Sequence, residues 1–200
     1  MKRRAAIYRG IPRYIGFILA VVSVAACSTQ AATSQSNDDG PSVTSPRTPR
    51  HTDKSDRPQV NFDPCIDIPD SALIEAGYDP ASEENADFTS DEYTFLGCAY
   101  DTPKRRYGMN VLSGNVSFAE EEAKVAPHAS PIEINGRRAL LEFNPSERDV
   151  CAVTIETSSG FLILDRNIFL DQVGPSPESE WCAGLEDTAR IFERYIPKEG

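Results

Sequence analysis

Cysteine is the residue whose number and spacing bear most directly on chemistry in this chain. Cys27 stands alone near the N-terminus, while Cys65, Cys98, Cys151 and Cys182 are spread through the remainder. Four cysteines are left for two disulfides in an oxidising compartment. Zinc is the rival chemistry, but it takes ligands in close pairs of the C-x-x-C kind. The spacings here are far wider, and neither His51 nor His128 lies near a cysteine in sequence. No metal ligand set follows. A Gly-rich phosphate loop, a Gly-x-Ser-x-Gly elbow and a His-Glu-x-x-His helix are all missing. His128, between Pro127 and Pro131, falls in an expected loop, and a Ser–His–Asp set built on it is left open by the sequence. The 31 acidic residues make no single carboxylate pair distinctive. Glu83, Glu84, Asp87 and Asp91 lack the Asp-x-Asp-x-Asp-Gly rhythm of a calcium loop. Glu120, Glu121 and Glu122 are helix neighbours that do not share a face. The reading therefore assigns no catalytic residue, no metal and no cofactor.

Cys27 has a chemistry of its own. Lys2, Arg3, Arg4, Arg9 and Arg13 precede an apolar run from Tyr14 to Ala26 with no acidic residue among them. That is the charge and hydropathy pattern of a secretory signal. The run is too short to span a bilayer core, which takes about 20 apolar residues. Val24-Ala25-Ala26-Cys27 closes it in the manner of a lipobox. Small residues admit a protease, and the thiol is the nucleophile that accepts a diacylglyceryl group. Residues 1–26 are thus expected to be a lipoprotein signal peptide, with Cys27 the lipidation site. Arg3-Arg4 hints at a twin-arginine route, but Ala5-Ala6 fits the general secretory route better.

The elements that must carry these cysteines are legible in outline. Residues 27–61 are polar, with hardly a bulky apolar side chain, and are expected to form a disordered tether. Such a coil would reach on the order of 30–35 Å. Residues 62–200 are expected to form one domain. Without the five basic residues of the leader, 15 Lys and Arg face 31 Asp and Glu, a net charge of −16. That surface repels phosphate backbones, which excludes nucleic acid as a partner. It also disfavours adhesion to anionic lipid heads, so contact with a membrane must run through the N-terminal lipid.

Residues 69–76 read as a short helix stopped by Gly77, and 81–91 as an acidic loop. Residues 93–100 and 107–112 read as strands. Ser117 and Glu120 have capping-box spacing for a helix over 117–125. Asn135-Gly136 supplies the turn of a hairpin between 132–134 and 137–143. Cys151, Val153 and Ile155 alternate as a half-buried strand. Phe161 to Leu164 is apolar on both faces, as in a central strand. Ser176-Pro177 is expected to open a last helix, with Trp181, Leu185, Ala189, Phe192 and Ile196 along its buried stripe. The fold class is α+β: a mainly antiparallel sheet of about five or six strands with packed helices.

Asp63-Pro64-Cys65, the short helix ending at Gly77, Gly97-Cys98-x-Tyr100, Ile134-Asn135-Gly136-Arg137, Cys151-x-Val153, and Trp181-Cys182 before a closing helix stand in this order along the chain. Taken together, they resemble an actinobacterial family of cell-envelope lipoproteins catalogued as a domain of unknown function. Tyr100 stands where Trp is expected. The resemblance implies an envelope location, a lipid anchor and two disulfides, and carries no reaction with it. Chain entropy does not choose the pairing, since loops of 33 and 31 positions stabilise by about 3.5 kcal/mol each and wider ones by more. Cys65–Cys98 would staple a short helix to the next strand, and Cys151–Cys182 would pin the closing helix beside Trp181. The resemblance points to the same pairs.

The functional expectation is a lipid-anchored extracytoplasmic domain, a non-catalytic binding or interaction module of the cell envelope. Its partner would be an envelope protein, a glycan or a small apolar ligand. The alternatives are a structural envelope component and a hydrolase working through carboxylates alone. A pocket read for apolar lining or for converging acids separates them.

Overall fold

The computed structural model describes residues 48–144, 150–169 and 177–198. The leader, Cys27, the first part of the tether and Ser176 lie outside the described residues.

Two short helices open the fold, α1 (Pro64–Asp67) and α2 (Asp70–Glu75). The Asp63 carboxylate caps α1 by accepting the Cys65 N–H, and Pro64 occupies the first turn, where no N–H is needed. A sheet follows: β1 (Glu84–Asn85), β2 (Phe88–Thr89), β3 (Thr94–Asp101), β4 (Tyr107–Gly114), β5 (Ala129–Ile134), β6 (Arg137–Glu142), β7 (Val150–Thr157) and β8 (Gly160–Ile168). Helix α3 (Phe118–Val125) lies between β4 and β5, and α4 (Glu178–Trp181) and α5 (Leu185–Glu193) close the chain. The strand order is β1-β3-β4-β8-β7-β6-β5, with β2 also on β3, and every pairing is antiparallel. The class is α+β with a larger sheet than expected. Six long strands are supplemented by β1 and β2, two residues each, in the segment read as an acidic loop. Their pairing to β3 is a main-chain matter and leaves no apolar alternation to read.

The order has a two-part logic. Strands β1 to β4 pair among themselves, as do strands β5 to β8, and β4 with β8 is the one ladder joining the two sets. Each set holds its own disulfide, Cys65–Cys98 in the first and Cys151–Cys182 in the second. Both expected pairs are therefore present.

Period-two alternation gives the sheet two faces. One carries Cys98, Tyr100, Met109, Val111, Val153, Ile155, Leu162 and Leu164 beneath α2 and α5, whose Leu73, Leu185, Ala189 and Phe192 complete the main core. On the other face, Phe118 and Val125 of α3 cover Leu140 and Phe161. The Ser117–Glu120 capping box that starts α3 is formed as its spacing predicts. So is the hairpin turn, with φ of 48° at Asn135 and 91° at Gly136. Strand β8, which contains Phe161 to Leu164, lies at the centre of the sheet.

Two expectations need correction. The closing helix is not continuous: α4 ends after Trp181, Gly184 takes φ 76°, and α5 starts at Leu185. The break follows from what holds the junction. Cys182 is bonded to Cys151, and opposite Cys151 on β8 the guanidinium of Arg166 donates to the carbonyls of Trp181 at 2.5 Å and Ala183 at 2.8 Å. Arg166 is 4% exposed and also lies 4.8 Å from the Tyr107 ring. The apolar stripe from Trp181 to Ile196 is buried all the same.

The second correction concerns the tether. Residues 48–61 lie as a strap on the fold. Arg57 makes a bidentate pair with Glu120, at 2.7 and 2.8 Å. The buried Asn115 amide donates to Asp53 at 2.7 Å and to the Pro58 carbonyl at 3.2 Å, while its oxygen accepts the Thr94 N–H at 2.9 Å. Arg50 spans the Asp63 and Asp87 carboxylates, and Val60 is 2% exposed. His51, read as a solvated tether residue, is exposed and sits 3.0 Å from Asp87. The polar composition of this stretch suggests disorder, but Arg50, Asp53 and Arg57 have fixed partners.

Candidate functional site

The sheet face that carries α3 is only partly covered by it, and the uncovered part has a polar row. Cross-strand register lines up Asn110 on β4, Asp165 on β8, Ala152 on β7 and Glu142 on β6. Two concavities open along this face.

The first, about 190 Å³, lies against the end of α3. Glu121, Lys124 and His128 come from the helix and its exit, Glu142 and Asp165 from the sheet, with the main chain at Cys151 behind them. Burial pushes the Glu142 carboxyl above the usual carboxylate range, against the opposing effect of the Thr154 hydroxyl, which donates to it at 2.5 Å. The neighbouring Glu121 charge adds to the rise. Glu121 is itself engaged, both oxygens accepting from Lys124 at 3.0 and 3.1 Å. So the structure does bring His128 together with acids, but neither serine nor a free thiol lines the site. Among the described residues no group of three or more His, Cys, Asp or Glu side chains is placed to hold a metal.

The second concavity, about 280 Å³, is a groove over β3, β4 and the end of β8. Its floor is made of small residues, Ala99 and Gly108. A Cβ at Gly108 would come within 2.7 Å of the Phe169 ring and 2.9 Å of Asn167 Oδ1, so only glycine lets both side chains lie down over β4. Phe169 walls one end, and Arg105 stacks on its ring at 5.2 Å while donating to Asp101 at 3.0 Å. Asn110, Asn167, Glu84 and Asp101 also line it, with Ser82, Tyr100 and Met109. Asn167 Oδ1 is buried, and among the described residues nothing donates to it.

The sequence-predicted cysteines are placed away from this groove as structural bonds, and Cys27 lies outside the described residues. Sequence reading missed Asn110, Asn167 and Phe169. The available signal was the intrusion of polar side chains at alternate positions of apolar strands, Asn110 between Met109 and Val111, and Asp165 and Asn167 flanking Arg166.

The family model for a protein of unknown function, DUF3558, matches residues 22–194 of this chain. That covers the sheet, both disulfides and Cys27. The chain belongs to that family. No curated protein and no solved structure matches it. The DUF3558 match starts at Val22, so the Val24-Ala25-Ala26-Cys27 segment lies within the family's own pattern rather than ahead of it. Within the described part of this DUF3558 chain, no helix is long and apolar enough to cross a membrane.

Proposed function

We propose that the protein is a lipid-anchored, extracytoplasmic binding module of the cell envelope, of the actinobacterial lipoprotein type, with no catalytic role. The anchor reading is supported by the position of Cys27 at the end of an apolar leader and within the family match. Two disulfides suit an oxidising exterior. The single observation that carries the binding reading is the groove over β3, β4 and β8: a preformed recess with a small-residue floor and polar walls. Its polar lining favours a polar partner over the small apolar ligand that the sequence also allowed. A non-catalytic role is supported by the acids of the other concavity, where Lys124 occupies Glu121 and Thr154 holds Glu142.

Two experiments test the two halves of this reading. In cells fed a labelled fatty acid, the wild-type chain takes up label and Cys27→Ala does not. The variant also moves to the soluble fraction, because stable anchoring takes more than one acyl chain. Equal label on both would refute acylation at Cys27. For binding, full-length protein held in mild detergent is sedimented with washed envelope fragments. Asn110→Trp, which fills the groove, is expected to lower co-sedimentation by about fivefold, corresponding to roughly 1 kcal/mol, with an unchanged melting temperature. Undiminished co-sedimentation would remove the groove from the reading.

A further inference from the structure

Resting on the anchor reading, we propose that the β1–β2 edge of the sheet is a membrane-facing surface. It settles on the bilayer that holds the Cys27 lipid and seats Phe88 and Ile66 at the boundary of head groups and acyl chains. Among the described residues, three large apolar side chains are more than half exposed: Ile66, Ile74 and Phe88. Two of them stand where the tether joins the fold. The Arg50 guanidinium, two positions past the first described residue, grips the Asp63 carboxylate at 2.6 Å and that of Asp87 at 2.9 Å. Asp63 caps α1, which carries Ile66, and Asp87 directly precedes Phe88. The two apolar residues straddle the edge. Phe88 pairs in register with Phe95, whose ring meets Phe161 on the α3 side, while α1 is bonded to the opposite face through Cys65–Cys98. An edge turned to the bilayer offers both at once.

A lipid surface is the occupant because of where the chain leads. On composition, the span from Cys27 to Arg47 is a coil that reaches on the order of 25 Å. A tether of that length gives the domain an effective concentration in the millimolar range at the bilayer. A contact too weak to keep a free protein on a membrane is then populated. Charge is adverse over the chain as a whole but is met locally at this edge: Arg50 takes Asp63 and Asp87, and Lys54 holds Asp91 at 2.9 Å. Phe88 is also held in place, its ring 5.8 Å from Tyr93, which lies 5.9 Å from Phe95. A phenol beside an apolar ring suits the depth of lipid head groups. The opposite edge, β5, is six ladders away, about 29 Å, and carries no exposed large apolar side chain. Ile74 lies on α2, beside Glu75 and its Arg194 partner, with no such link to the tether.

The test uses the full-length lipidated chain in phosphatidylcholine vesicles whose acyl chains carry bromine, a contact quencher of tryptophan. Trp181, 3% exposed, is the chain's own tryptophan and sets the unquenched baseline. Seated at the acyl boundary, Phe88→Trp and Ile66→Trp should each lose about half or more of their added emission. Glu133→Trp, on the β5 edge, and Ile74→Trp should keep nearly all of it. On the wild-type chain, a gadolinium-chelate head group should broaden the amide signals of Ile66 and Phe88 before that of Glu133, a readout that no failure of a variant to fold can spoil. Equal quenching of Glu133→Trp means a domain that rolls freely and overturns the assignment, as does quenching of Ile74→Trp in place of the other two. If vesicles float the wild-type chain while Phe88→Trp and Ile66→Trp keep their emission, as they would with a protein partner over this edge, the docking alone fails. A wild-type chain that does not float with vesicles removes the anchor reading and the docking with it.

Discussion

A chain that begins at Asn61 is expected to melt about 10 °C below one that begins at residue 48, the opposite of what the composition of the strap implies. Val60 is buried, and deleting it forfeits about 1.5 kcal/mol. Removal of Asp53 and Pro58 takes both acceptors from the Asn115 amide, which is 3% exposed, and an unmet buried donor costs about 1–3 kcal/mol. Asp63, 2% exposed, loses the Arg50 guanidinium that grips both of its oxygens. The Arg57–Glu120 pair is partly exposed and adds little. The sum is on the order of 4 kcal/mol, and a domain of this length shifts by about 2–4 °C for each. A calorimetric difference under about 3 °C would show that the strap is held without stabilising the fold.

Acid should narrow the difference. The Ser55 hydroxyl holds the Asp53 carboxyl well below the usual range, helped by Asn115, and Arg57 does the same for Glu120. Carboxyls lowered in the folded state contribute stability that is present above their unfolded pKa. That stability is lost as pH falls through the lower folded value. The gap between the two chains should therefore be full near neutrality and start to narrow below about pH 4, with the part due to Val60 burial remaining.

Loss of the disulfides should have the largest effect of all. The loops of 33 and 31 positions contribute about 3.5 kcal/mol each, against a total of about 5–15 kcal/mol for an ordinary domain. Either pair replaced by alanine is expected to lower the melting temperature by about 10 °C. Of the two, Cys151→Ala with Cys182→Ala should cost more, because it also loosens the α4–α5 junction that Arg166 holds by its carbonyls. Full reduction should leave the chain largely unfolded at 37 °C by circular dichroism. A reduced chain that keeps its melting temperature would mean that the packed core suffices. Non-reducing peptide mapping checks the pairing itself, and a Cys65–Cys151 or Cys65–Cys182 peptide as the main species would contradict the structure.

What could be read from the sequence was whatever is decided locally. Asn135-Gly136 needs only its own backbone preference, and Ser117 with Glu120 needs only one helical turn. Phe161 to Leu164 announces a doubly covered strand by composition. The strap escaped because Arg50, Asp53 and Arg57 resemble any solvated residues until Asp63, Asn115 and Glu120 are brought to them over 13 to 63 positions. The break at Gly184 escaped because the apolar stripe keeps helical spacing across it, while its cause lies on β7 and β8. The groove is a product of register. Asn110 and Asn167 become neighbours only once β4 and β8 pair, and no short-range pattern states that pairing.

That same ladder orders the assembly of the molecule in time. Strands β1 to β4 with Cys65–Cys98, and strands β5 to β8 with Cys151–Cys182, are each built from nearby chain. Closing short loops is faster than joining distant ones. Each half can therefore collapse and oxidise before β4 finds β8, and the native bonds form between thiols that are already companions. A mispaired bond would have to link the halves before the ladder exists. Oxidative folding should thus pass through a species with both bonds made and the two halves not yet zipped, and it should need little reshuffling by an isomerase.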